Sequence, residues 1–256
     1  MSLLRMIGVG ALLHTKQLSR SPFEIATALI VPVVQATLAV HLFRAGGEPG
    51  RLLEAAVGAG LMGVWSSVLF GSGGAIQNQR WQGTLEMLML APRPPALVIF
   101  PITLSTAVTG TYAMLATLLW GRLLYGVPLT FAHPLLFLVA APGCVLGLGM
   151  FGLLLASTFV LMRNANALAN TLEYPIWLVS GMLVPLTVLP GWTGPIAAAL
   201  PTTWGARAVH EAASGGPVWP SLGICLAISL GCLASGALMM TYVERRARAA
   251  ATLALA

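Results

Sequence analysis

Charge is what this sequence has least of. Only 8% of its 256 residues are charged, it has no aspartate, and Lys16 is its only lysine. A soluble domain carries about 25% charged residues, so a water-soluble globule of this size could not cover its surface. Cysteine is scarce as well. Cys144, Cys225 and Cys232 are the only three; all fall in apolar stretches, and their spacing matches no zinc pattern. They read as small buried hydrophobes, with neither a metal site nor a disulfide framework implied. A P-loop is missing too. It requires Gly-Lys-Ser/Thr after a glycine-rich stretch, and Lys16 follows Thr15. No nucleotide cofactor is therefore expected on this chain.

What is present is apolar. Hydrophobic residues make up 57%, and the mean hydropathy is +0.87. Lipid is the main solvent implied. In lipid every backbone N–H and C=O must be paired internally, which leaves helices or a closed barrel. Barrel strands are about 10 residues of alternating pattern. The runs here are longer and do not alternate, so the expected fold is an all-α polytopic membrane protein.

A spanning helix needs about 20 apolar residues, and six stretches qualify: Phe23 to Phe43, Leu52 to about Gln77, Ala96 to Tyr125, Pro134 to Met162, Ala167 to about Leu189, and Ser221 to Val243. Before them, Arg5, Lys16 and Arg20 share one face of a helical wheel over residues 1–20, with Leu12 and Leu13 near it. This reads as an interfacial helix, with a cleaved signal peptide as the alternative. The transmembrane domain is placed at 21–243 and a cytoplasmic tail at 244–256, which either continues the last helix or is disordered.

The net charge is +6. Nine basic residues (Arg5, Lys16, Arg20, Arg80, Arg93, Arg163, Arg245, Arg246 and Arg248) fall on one side of the six spans, and four (Arg44, Arg51, Arg122 and Arg207) on the other. By the positive-inside rule both termini are cytoplasmic. The basic balance thus reflects the lipid bilayer as partner, not nucleic acid. An Arg-over-Lys, Ala-rich bias is what a GC-rich bacterial genome would give, and the expected location is the bacterial cytoplasmic membrane.

Two connections are more than loops. On the expected cytoplasmic side, Gly83 permits a turn, Thr84 is a good N-cap, and Glu86 complements the helix dipole. Leu85, Met87 and Leu88 follow, and Pro92 ends the helix. The predicted product is a short helix over 83–91 whose apolar groups either dock a partner or pack on the chain's own bundle. On the opposite side, 190–219 holds apolar runs too short to span. Pro190, Pro195 and Pro201 interrupt them, while Trp192, Trp204 and Trp219 suit the headgroup level. These predict short outer-side helices that dip into the leaflet or lie on it. The fifth span itself carries Pro175, Gly181 and Pro185, which predict kinks that line a pathway, act as a hinge or simply pack.

Arg80, Gly83, Thr84, Leu85, Glu86, Leu88 and Pro92, followed at a distance by Ser180, Gly181, Pro185, Pro190 and Trp192, resemble two stretches of the type-2 integral membrane subunits of ABC exporters. Gln79 stands where that family usually has an acid, and Pro201 and Arg207 continue the pattern. The resemblance covers nearly the whole chain in span number and loop placement. It implies a permease that moves a drug, antibiotic, lipid or glycolipid outward. It makes residues 1–20 an elbow helix and Arg80 with Gly83–Leu88 the contact to a separate ATPase present in two copies, which would hold the ATP and Mg. It makes Pro190, Trp192 and Pro201 part of an outer cap. Six spans would be half of a pathway, so a second permease, identical or paralogous, is implied.

Gly71-Ser72-Gly73-Gly74 lacks the Gly-x-Ser-x-Gly spacing of a nucleophile elbow and reads as close helix packing. His14, His41, His133 and His210 lie near span boundaries and read as interfacial. No convergent polar cluster points to an intramembrane enzyme. A gradient-driven transporter would place an acid at the midplane, whereas Glu24, Glu54 and Glu173 all read as lying near span ends. Glu173 is the most notable, and Arg163 is its expected partner at an inner gate formed with Pro175, Ser180, Gly181 and Pro185.

Overall fold

The computed structural model describes residues 3–18, 22–47, 49–81, 83, 95–161 and 165–250. They form helices and no strand: α1 (Leu3–Leu18), α2 (Pro22–Ala45), α3 (Leu52–Trp81), α4 (Pro95–Tyr125), α5 (Pro134–Leu161), α6 (Ala165–Val179), α7 (Thr193–Ala199), α8 (Pro201–Ser214) and α9 (Val218–Ala250). The punctuation is local. Proline opens α2, α4, α5 and α8, where its missing N–H costs nothing. Left-handed glycines close α4 at Gly126 and α8 at Gly215, whose N–H groups bond back to Arg122 and Glu211 carbonyls.

Five helices, α2, α3, α4, α5 and α9, are long and apolar enough to cross a membrane. They are not equivalent. About 72% of the apolar windows of α3 and α5 is buried, against 22% for α2 and α9. So α3 and α5 form the centre, with Trp65 stacked on Phe151 between them at 5.9 Å, and α2 and α9 lie outside. Close approach is built from small residues, as membrane packing without a hydrophobic drive between helices requires. A Cβ on Gly110 of α4 would fall 2.8 Å from the Val64 Cα of α3. Gly71 abuts the Thr106 side chain in the same way, the packing role expected of that glycine cluster.

The expected fifth span, Ala167 to about Leu189, is not one continuous helix. α6 stops at Val179 after 15 residues, about 22 Å of helix against a hydrocarbon core of about 30 Å. The stop is a Schellman ending: the Met182 N–H bonds the Trp177 carbonyl, the Gly181 N–H bonds the Leu178 carbonyl, and Gly181 has φ +70°. Pro185 then bars any return to the helix. A six-span count is thus not reached by helix length among the described residues. The last helix runs on to Ala250, so most of the expected tail continues it. The helix of α1 packs on α4, with Gly10 against Pro101.

Candidate functional site

The predicted docking segment lies mostly outside the described residues. Thr84, Leu85, Glu86, Met87, Leu88 and Pro92 fall there, as does Arg163. Gly83 is described: it is exposed and has φ +66°, a left-handed turn just past the end of α3 that suits glycine. Arg80 belongs to the last turn of α3.

At the opposite end of the bundle the broken span and the short helices form a plug. α8 is amphipathic in an unusual sense. Its small face, with Gly205, Ala206, Ala208, Val209 and Ala212, is buried against α3, α5 and α9. Gly205 abuts the thiols of Cys144 and Cys225, and Cys144 lies ten residues into α5, about 15 Å along it. α8 therefore penetrates the bundle. Pro201 opens it and is buried, while Pro190 and Trp192 remain exposed, Trp192 at 67%. Its far end is fixed by four hydrogen bonds. The Ala132 and His133 N–H groups bond the Ala213 and Ala212 carbonyls. Arg207 and Ser221 donate to the two oxygens of Glu211, at 2.9 and 2.7 Å.

The segment after α6 is locked to this plug. The Ser180 and Thr202 hydroxyls bond each other in a buried contact. The Met182 carbonyl accepts from His210 Nε2 at 2.9 Å, which fixes the proton on that nitrogen because a carbonyl only accepts. Burial lowers the His210 pKa below its ordinary 6.5, and the Met182 bond and the more distant Glu54 only partly oppose this. The same Met182 carbonyl rests on α3 at Gly58, where a Cβ would overlap its oxygen. Ser180 and Gly181 were expected in a gate; Thr202, His210 and Gly58 were not. His210 is no free interfacial side chain. The sequence signals for the missed residues are slight: a Gly58-Ala59-Gly60 run inside a span, and a histidine five residues before the glycine stop of the short helix at Gly215.

Glu173 also moves. Its Oε1 accepts the Ser66 hydroxyl of α3 at 2.7 Å. Ser66 belongs to the apolar stretch Leu52–Ser72 of α3, six residues from its end, so the carboxylate meets α3 within that stretch. Arg163, the partner expected for it, lies outside the described residues. Among those residues the ion pairs are Arg51–Glu54 and Arg207–Glu211. Pro175 lies inside α6 and is exposed, and Pro185 marks the turn into Leu186–Val188.

Among curated proteins the sequence finds no match. The family model of the ABC-2 type transporter matches residues 13–213, a stretch that runs from α1 to the end of α8.

Proposed function

The chain belongs to the ABC-2 type transporter family, and from that premise we propose that it is one permease half of an ATP-driven exporter for an amphipathic drug, antibiotic, lipid or glycolipid. The family makes it the membrane component of an ABC transporter, a part that carries cargo and is not itself catalytic. That sets aside the gradient-driven and enzymatic alternatives. Energy would come from a separate ATPase, in two copies that hold the ATP and Mg, docked on the segment 83–91. A second permease, identical or paralogous, would complete the pathway. The setting is the bacterial cytoplasmic membrane with both termini inside, α1 as an interfacial elbow and the α7–α8 plug facing out. Nine basic residues against four support that orientation.

The observation that carries this reading is the course of α3. It is a single helix of 30 residues, about 45 Å long. One end leads into the Gly83 turn before the docking segment; near the other, Gly58 bears directly on the Met182 carbonyl of the plug. A push at 83–91 has a rigid route to the Ser180–Met182 segment. Closure of the ATPases on ATP would move α3, shift its bearing at Gly58 and loosen the outer cap. Affinity purification of the solubilised chain tests the reading. A P-loop ATPase of separate sequence should co-purify, and Glu86→Lys should reduce its yield. A transport-competent preparation without any ATPase overturns the proposal.

A further inference from the structure

Ser66 lies 14 residues beyond Leu52, about 21 Å along α3, and six residues short of Ser72, where the apolar window closes. The Glu173 carboxylate that it holds therefore meets α3 inside an apolar stretch long enough to cross a membrane. An acid there is costly and needs a reason. Its binding partner on the protein is one neutral hydroxyl, and among the described residues no cation pairs with it. If its purpose were only to tie α6 to α3, a neutral glutamine would serve equally.

The surroundings supply the reason. Trp177 lies one turn on from Glu173, on the same side of α6. Tyr174 is 63% exposed and meets Trp177 edge-on, with ring centroids 5.9 Å apart. Glu173 itself is half-buried. A carboxylate fixed in an apolar stretch, with Trp177 on the same side of the helix and Tyr174 packed on that ring, favours one ligand chemistry: a positive charge carried on an apolar body, drawn to the acid and to the aromatic pair next to it. A neutral lipid gains nothing from the charge, and an anionic one is repelled.

We propose that Glu173, held by Ser66 and flanked by Tyr174 and Trp177, is a recognition site for a lipophilic cation, so that the cargo is a positively charged amphiphile. The inference takes its purpose from the permease reading, but its test is a binding measurement that stands apart from ATPase association.

The permease is purified in detergent with whatever ATPase accompanies it. Rhodamine 6G, a planar lipophilic cation, and Nile red, a neutral dye, are titrated by fluorescence anisotropy. The wild type should bind rhodamine 6G, and Glu173→Gln should weaken that about tenfold or more while Nile red binding stays unchanged. Glu173→Asp should restore most of the affinity. Tyr174→Leu, which leaves the Ser66 bond intact, should weaken rhodamine 6G severalfold. Unchanged rhodamine binding in Glu173→Gln overturns the inference, and so does equal loss of both dyes. Failure of the wild type to prefer the cation also overturns it. Cation selectivity that depends on Glu173 in a preparation with no ATPase upholds the inference while defeating the permease reading. An ATPase-bound complex without that selectivity does the reverse.

Discussion

The carbonyl oxygen of Met182 rests on the bare Cα of Gly58, at the point where the chain leaves α6 and meets α3. A Cβ at residue 58 would overlap that oxygen and lie 3.1 Å from its carbon and 3.3 Å from the Leu183 Cα. All three are backbone atoms, so no rotamer change relieves the clash. Gly58→Ala should cost about 1–3 kcal/mol, the range for overpacking a filled interior. A fall in the thermal unfolding midpoint of the detergent-solubilised protein measures it. Gly223→Ala inside α9, where an added Cβ meets nothing within 4 Å, should not lower the midpoint and should raise it slightly, since alanine favours the helix over glycine.

The plug should also respond to pH. His210 is held neutral by burial while its Nε2–H bonds the Met182 carbonyl. A histidine whose folded pKa is lowered stabilises the fold above its ordinary pKa, and that contribution is lost as pH falls below it. The unfolded chain then binds the additional proton. Stability should therefore be greatest above pH 6.5 and decline below it. Arg51 reinforces the direction and Glu54 opposes it. Thermal midpoints measured from pH 7.5 down to 5.5 should fall, and His210→Gln should flatten that slope while lowering the midpoint at pH 7.5.

How much of this was readable beforehand differs by element. The long helices were, because their apolar runs are continuous and proline and glycine mark their ends. The fifth was not. Hydropathy stays high from Ala167 to Leu189 whether the chain is helical or turning, since a Schellman stop changes the backbone and not the polarity. Only Ser180-Gly181 ahead of Pro185 carries the signal, and from the sequence a kink and a full stop look alike there. The bond of Glu173 to Ser66 is not legible in the sequence for another reason: it depends on how α6 lies against α3, and no local pattern encodes that. The role of His210 was hidden likewise, because its acceptor is a main-chain carbonyl 28 residues away. Ser180 and Gly181 stand out in the sequence by their motif, while Thr202, which completes the buried contact with Ser180, carries no such mark.

The stop at Gly181 has a separate consequence. Its φ of +70° is open to glycine and strained for other residues. Gly181→Ala should destabilise the protein by about 1–2 kcal/mol, and Gly181→Val by more because its side chain is β-branched. A Cβ here also falls 3.1 Å from Leu186 Cγ, which adds to the cost. Gly181→Asn should be milder than Gly181→Ala, since asparagine tolerates the left-handed region. The order of the three thermal midpoints, Asn above Ala above Val, is the check.

Ser180 and Thr202 join the end of α6 to the start of α8 through two buried hydroxyls. Removing one partner leaves the other hydroxyl buried and unpaired, whereas removing both leaves neither, so single losses should exceed half of the double loss. Ser180→Ala and Thr202→Val should each cost about 1–2 kcal/mol, with a coupling energy of about 0.5–1.5 kcal/mol in a double-mutant cycle. The cycle is measured on unfolding of the solubilised protein. If the contact also opens during transport, weakening it should favour the opened cap: the single variants would then raise the basal ATPase rate of the purified complex without raising the rate at saturating cargo. Additive losses would show that the two hydroxyls do not act together.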